Sequence, residues 1–166
     1  MKKRVLWIAG IGICMALFGS IIDPADRLIW NRTESAPLGL YWLSNAPFIY
    51  GRWGVVSARS ADADWAESNG FVGSDWPLLK KVAGVPGDEI CRMEQTVSRN
   101  GAPVAQAHLV DSQGRYLPVW HGCLSLQEGQ VFLLNVHPDS LDGRYFGPTQ
   151  IEDMDGVAIA LFTFNR

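Results

Sequence analysis

The chain has 166 residues, a hydrophobic fraction of 48% and a formal net charge of -3. Because Lys2, Lys3 and Arg4 supply +3, everything after Arg4 carries -6. So acidic a body is a poor partner for nucleic acid, which requires basic patches. The length suits one compact domain with a tail or anchor.

The N-terminal 22 residues contain the longest uncharged stretch. Residues 5–22 carry no charge and follow the basic tail 1–4, which predicts a transmembrane anchor with its basic end in the cytoplasm. Residues 23–166 would then form an extracytoplasmic domain, on the periplasmic side of a bacterial inner membrane. A cleaved secretory signal is the alternative, but Leu17 or Phe18 would stand where a small residue is needed.

The segment 31–41, NRTESAPLGLY, is rich in turn-forming residues and non-helical. Ser35 lies two residues before Pro37, in a turn close to the predicted membrane surface. It is a candidate nucleophile for a substrate that emerges from the bilayer. A linker turn in which Ser35 bonds its own backbone is the alternative.

The run 78–88, LLKKVAGVPGD, places two lysines in an apolar strand that ends in a turn. Alternation puts Lys80 on one face with Leu78 and Val82, and Lys81 on the other. A buried lysine can lose its proton and act as a general base. Alternatively, both ammonium groups extend to water.

The rest of the chain predicts a mainly β, antiparallel body. Residues 61–75 are polar and predict a mobile, exposed excursion that could contain a short helix. Asn-Gly at 100–101 predicts a hairpin turn. The expected strands are 89–93, 96–99, 103–107, 115–120, 131–134 and 157–164, with a broken strand pair over 47–57.

Two further features bear on the site and its compartment. Asp142 and Arg144 lie two residues apart in the segment 137–148 and could form an ion pair, although the segment also reads as a surface loop. Cys91 and Cys123 could form a disulfide if the body lies outside the cytoplasm. The cysteine and histidine spacing disfavours a zinc site.

Taken in order, the three stretches resemble the motifs of type I signal peptidases, and most closely the conjugative-transfer (TraF) branch. By this resemblance Ser35 is the nucleophile and Lys80 the general base. Ser140 would orient the lysine, Asp142 and Arg144 would form the loop ion pair, and Lys81 is the lesser candidate for the base. Ala36 after the nucleophile and His137-Pro138 at the start of the last motif depart from housekeeping leader peptidases and favour the conjugative branch.

The resemblance implies a membrane-anchored serine endopeptidase that needs no metal or organic cofactor. Its substrate would be an exported precursor with small residues before the cleavage site, such as a pilin precursor or another conjugative-transfer protein. Thr33 and the Ser35 backbone N–H would stabilise the oxyanion.

Three other interpretations remain at this stage. Ser35, His137 and Asp139 have the residue types of a catalytic triad, but no nucleophile motif surrounds the serine. A non-catalytic, membrane-tethered β scaffold of a secretion or conjugation apparatus would keep the anchor and the strands. A self-cleaving repressor would need a DNA-binding helix pair where the apolar stretch stands.

Overall fold

Short apolar runs separated by glycine, proline and asparagine form most of the molecule, whose computed structural model describes residues 2–21 and 27–164. The strands in these ranges are β1 Leu28–Asn31, β2 Leu38–Ser44, β3 Trp53–Val56, β4 Leu78–Gly84, β5 Glu89–Met93, β6 Thr96–Arg99, β7 Ala102–Gln106, β8 Gly122–Ser125, β9 Gln130–Leu134, β10 Thr149–Gln150 and β11 Met154–Phe164. The α-helices there are α1 Lys2–Ile21, α2 Ala61–Ser68 and α3 Gly143–Phe146, with a 3-10 turn at Ile151–Asp153.

The strands form two sheets in which every described pairing is antiparallel. The larger sheet has the order β1-β2-β11-β3-β4-β9-β10, and the smaller has the order β7-β6-β5-β8. The prediction of a mainly β antiparallel fold is therefore confirmed. β4 lies inside the larger sheet between β3 and β9, so both of its edges are hydrogen-bonded to neighbouring strands.

The predicted hairpin at Asn100-Gly101 joins β6 to β7. Asn100 and Gly101 have φ angles of 50° and 78°, the left-handed pair that a tight hairpin turn requires. Sequence alternation also located β5, β6 and β9 within one residue of their observed bounds.

Two predicted strands were wrong in extent. Residues 115–120 form no strand, because Tyr116 makes only an isolated bridge to Val110. The predicted strand pair over 47–57 reduces to β3, since residues 45–52 run as loop. Both stretches are rich in aromatic and β-branched residues, as strands are, but most of their residues outside β3 pair with no neighbouring strand.

The excursion over 61–75 packs against the body instead of standing free. Ser60 caps α2 by accepting a hydrogen bond from the Ala63 N–H at 3.2 Å, and Ala63 and Ala66 are buried on one face of the helix. Trp65 stacks on Phe71 with ring centroids 5.4 Å apart. The small alanines allow close approach, so the polar composition marked only the outer face of α2.

The N-terminal helix α1 starts within the basic tail and covers most of the apolar stretch. In the described part of the chain, no helix is long and apolar enough to cross a membrane. The transmembrane anchor predicted at 5–22 is therefore not supported, and Ile22 itself lies outside the described residues. The division into a tail, an anchor and a body stays a prediction.

Candidate active site

The loop that carries Ser35 follows β1 and is held by the buried side chain of Asn31. The Asn31 amide Nδ2 donates hydrogen bonds to the carbonyls of Thr33, Ala36 and Pro37 at 3.0, 3.1 and 3.0 Å. The Tyr41 hydroxyl also donates to the Pro37 carbonyl at 2.7 Å. Because these carbonyls cannot pair within a strand, the two side chains fix a backbone that no regular ladder holds.

Thr33 stands beside Ser35 but already has a partner. Its hydroxyl donates to Asn31 Oδ1 at 2.9 Å, and its oxygen lies 3.4 Å from Ser35 Oγ. The hydroxyl would have to rotate away from Asn31 before it could donate to an oxyanion. Ser35 is half-buried and keeps an accessible face.

Lys80 occupies the centre of β4 and is only 6% exposed. It shares its face with Leu78 and Val82, which belong to a buried apolar cluster. The residue opposite Lys80 on β3 is Gly54, and the side chains of Met154 and Phe48 fill the position that a Cβ there would take. Alternation along the strand therefore directs this ammonium group into the protein.

The Lys80 amine meets Ser140 in this buried environment. Lys80 Nζ donates to Ser140 Oγ at 3.0 Å, and Ser140 is itself buried. Burial lowers the pKa of Lys80 to about 8, opposed by the Asp142 carboxylate and assisted by the Arg144 guanidinium. A neutral, hydrogen-bonded amine is thus present in a sizeable fraction near neutral pH.

Lys81 points to the opposite face of the same strand. Its Nζ lies 5.3 Å from the centre of the Trp53 ring, and the side chain lines a separate cleft of about 750 Å³ that also reaches Ser35. It is half-buried. The structure thus separates the two lysines as alternation predicted.

Asn135 fixes the register of β4 on both sides of Lys80. Its side chain accepts a hydrogen bond from the Lys81 N–H and donates one to the Leu79 carbonyl, each at 3.0 Å. Its backbone N–H donates to Asp142 Oδ2 at 2.9 Å. The residue that follows β9 therefore ties the lysine strand to the loop that carries Ser140.

The Asp142–Arg144 ion pair holds that loop together. Arg144 Nε lies 2.8 Å from Asp142 Oδ1, and both side chains are almost fully buried. The remaining guanidinium nitrogens donate to the Pro138 and Asn135 carbonyls, each at 2.7 Å. Since every one of these bonds is charge-assisted, Ser140 lies between two firmly held ends of one loop.

A cavity of about 170 Å³ joins the loop that carries Ser35 to the buried lysine. Ser35, Lys80 and Ser140 all line it, and Phe71 and Trp76 narrow its wall. No hydrogen bond links Ser35 directly to Lys80 among residues 2–21 and 27–164. The described geometry is therefore a shared cavity in which the amine is held by Ser140.

His137 and Asp139 do not form a triad with Ser35 in this structure. The Asp139 backbone N–H donates to His137 Nδ1 at 3.2 Å, so this nitrogen acts as an acceptor. A triad needs the same nitrogen to donate to the aspartate carboxylate.

The structure joins Cys91 to Cys123 by a disulfide across β5 and β8. Glu89 lies beside these two sulfurs as the one described cluster of possible metal ligands. Disulfide sulfurs are not thiolates, so the donor set does not suit a metal.

The sequence of this chain is similar to a known protein family. Residues 2–163 match the family described as signal peptidase, peptidase S26. The chain belongs to this family.

The individual relatives narrow the comparison. The chain is 35% identical over 152 residues to a plasmid transfer protein TraF of Escherichia coli, with 84% of each chain covered. It is 32% identical over 179 residues to a conjugal transfer protein TraF of Agrobacterium fabrum, covering 99% of this chain and 98% of that protein. A signal peptidase I from Enterococcus faecalis superposes with a TM-score of 0.36 at 20% identity, covering 68% of this chain and 98% of that one.

Sequence reasoning missed two residues that hold the site, Asn31 and Asn135. Both are asparagines at strand ends that bond backbone groups outside the ladder. The available signal was an amide side chain next to a loop whose carbonyls have no strand partner, but it does not identify which carbonyls are bonded.

Proposed function

We propose that this chain is a serine endopeptidase in which Ser35 is the nucleophile and Lys80 the general base. The observation that carries the proposal is the buried Lys80 amine, bonded to Ser140 and lining the same cavity as Ser35. Membership of the signal peptidase family supports a peptidase of this type.

The chemistry requires one proton to move twice. Neutral Lys80 accepts the proton of the Ser35 hydroxyl as its Oγ attacks the scissile carbonyl, and the resulting ammonium gives the proton to the departing amine. In the second half of the reaction Lys80 takes a proton from a water molecule whose oxygen attacks the acyl carbonyl. The lysine returns that proton to Ser35 Oγ as the ester bond breaks and the new carboxyl group leaves. The Ser35 N–H and the Thr33 hydroxyl would stabilise the oxyanion once Thr33 releases Asn31.

The proposed substrate is an exported precursor protein with small residues before the cleavage site. A cavity of about 170 Å³ narrowed by Phe71 and Trp76 has room for small side chains. The TraF relatives are named for plasmid and conjugal transfer, so a pilin precursor or another conjugative-transfer protein is the substrate class that we infer.

The place of the reaction is part of the proposal. Signal peptidase relatives favour a membrane-associated or exported protein, and we infer that the β body works on the extracytoplasmic side. Alkaline carbonate extraction and protease accessibility in spheroplasts test this. Protein that stays soluble inside spheroplasts would contradict it.

The dyad is tested by following precursor cleavage by the purified, detergent-solubilised chain. Ser35→Ala and Lys80→Met should abolish cleavage, because each removes a group that no neighbour replaces. Lys81→Met is the matched control, since it removes an ammonium group from the opposite face of the same strand. Cleavage by folded Ser35→Ala or Lys80→Met protein would overturn the dyad and favour a non-catalytic scaffold.

A further inference from the structure

Arg92 is completely buried although it lies on the smaller sheet, away from the cavity that contains Ser35. Its guanidinium donates to three backbone carbonyls from separate parts of the chain. Nε bonds the Glu94 carbonyl at 3.3 Å, and Nη1 bonds the carbonyls of Pro118 and Arg144 at 3.2 and 2.8 Å. The Tyr145 ring centre lies 6.0 Å from its central carbon.

Such a burial is costly. Within residues 2–21 and 27–164, no carboxylate lies within ion-pair distance of Arg92, so only carbonyl dipoles and an aromatic ring compensate its charge. A buried charge is usually paired with an opposite charge. An apolar side chain of similar volume would fill the same space without this cost.

The bond to Arg144 connects Arg92 to the site. Arg144 belongs to α3, and its side chain holds the loop through Asp142 and the Pro138 carbonyl. That loop presents Ser140 to Lys80. Arg92 therefore holds the backbone of Arg144 by a hydrogen bond, and the side chain of Arg144 in turn fixes the position of Ser140.

We propose that Arg92 is a positioning residue for the reaction, holding α3 and thereby the Ser140 hydroxyl against the Lys80 amine. The proposal rests on the function proposed above for Lys80. Without the hydrogen bonds of the Arg92 guanidinium, the loop that carries Ser140 would move away from Lys80 and water would reach the amine. A hydrated lysine regains its ordinary, higher pKa, so less of the neutral amine would be present at a given pH.

The groups facing Lys80 decide whether a pH shift can be assigned to it. Asp142 and Arg144 act on it directly, while Asp139 and Asp62 line the small cavities beside it. Burial, with a contribution from Asp153, raises the pKa of Asp62 to about 6. The pKa of Asp62 therefore lies below the pH near 8 at which Lys80 titrates.

The test compares full-length Arg92→Met and Arg92→Lys with the wild type, measuring kcat, KM, the pH dependence of kcat/KM and the melting temperature. Arg99→Met is the matched control. Arg99 lies on the neighbouring strand of the same sheet, stacks on Tyr50 and bonds one carbonyl, that of Ala83, at 2.9 Å. It makes no described contact with α3.

For Arg92→Met we expect kcat to fall at least about tenfold with KM changed less than about twofold. The rise of kcat/KM should move to higher pH by about one unit or more. Arg92→Lys should recover part of the loss, since an ammonium group can still donate to the Arg144 carbonyl. Arg99→Met should keep the wild-type pH profile.

A folded Arg92→Met variant with wild-type kcat and pH profile would overturn the positioning role. A loss of activity that is equal at every pH and accompanied by a matching loss of folded protein would also overturn it, because a purely structural role predicts that result. Failure of the dyad is seen separately, as cleavage by Ser35→Ala or Lys80→Met.

Discussion

The sharpest consequence of the buried lysine is a pH dependence in which activity rises through mildly alkaline pH. A lysine in water has a pKa of 10.5, and the pKa of Lys80 is lowered to about 8. This difference corresponds to about 3 kcal/mol of preference for the neutral amine. At pH 7 it makes the neutral form roughly 300-fold more abundant than in an exposed lysine.

The shape of the profile follows from the same pKa. About 1% of Lys80 is neutral at pH 6, about 9% at pH 7 and about half at pH 8. We therefore expect kcat/KM to rise about tenfold between pH 6 and 7 and to level off above about pH 9. The sign is that of a base, because deprotonation of Lys80 creates the active form.

The assay is kcat/KM for a precursor peptide without ionisable side chains near the bond, measured from pH 6 to 10 with circular dichroism as a folding control. The kcat/KM profile reports the free enzyme. Lys81→Met should leave the pH dependence of kcat/KM unchanged, since the Lys81 ammonium group lies on the other face of β4. A flat profile, or a rise centred near 10.5, would refute the argument that burial activates Lys80.

Three other outcomes follow from contacts in the site. Trp76→Ala should widen the 170 Å³ cavity and raise cleavage of precursors with leucine instead of alanine before the bond; an unchanged leucine-to-alanine ratio would contradict the role of the indole. Asn31→Ala removes five hydrogen bonds from the loop that carries Ser35 and should lower kcat about tenfold or more, which an unchanged kcat would disprove. Replacing Cys91 and Cys123 by serine should lower the free energy of unfolding by about 2–4 kcal/mol in denaturant titrations, and equal stability would exclude a stabilising disulfide.

The elements that the sequence predicted best are those whose residues alternate and whose turns have a distinctive chemistry. Asn100-Gly101 requires a left-handed backbone that few other residue pairs adopt, so the hairpin followed directly. The two faces of β4 also followed, because side-chain direction in a strand has a period of two. Both predictions depend on local geometry alone.

The features that the sequence could not supply depend on partners far along the chain. Residues 115–120 are rich in large apolar side chains, as strands are, but only Tyr116 bridges to another segment, at Val110. The packing of α2 depends on Phe146, which lies 5.8 Å from the Trp65 ring centre. The burial of Arg92 could not be predicted, because nothing in the local sequence distinguishes an arginine that bonds the Arg144 carbonyl from one that extends to water.

The candidate site contains both kinds of feature: some that the local sequence predicts and some that depend on residues far along the chain. Ser35 and Lys80 were identified through motifs, but the cavity that they share is also formed by Phe71 from the excursion and by Trp76 directly after it. Asn31 and Asn135, which hold the segments that carry Ser35 and Lys80, have no motif of their own in this sequence. Their roles appear only when the carbonyls that they bond are known.

The two lysines of β4 are adjacent in the sequence. If the strand were displaced by one residue against its neighbours, Lys81 would therefore take the buried position that Lys80 now has. The displaced strand would bring Leu79 and Ala83 to the face now formed by Leu78 and Val82, and would break both bonds to Asn135. The hydrogen bonds of Asn135 to β4 fix the register of the strand. The register decides which of the two lysine side chains is buried away from water.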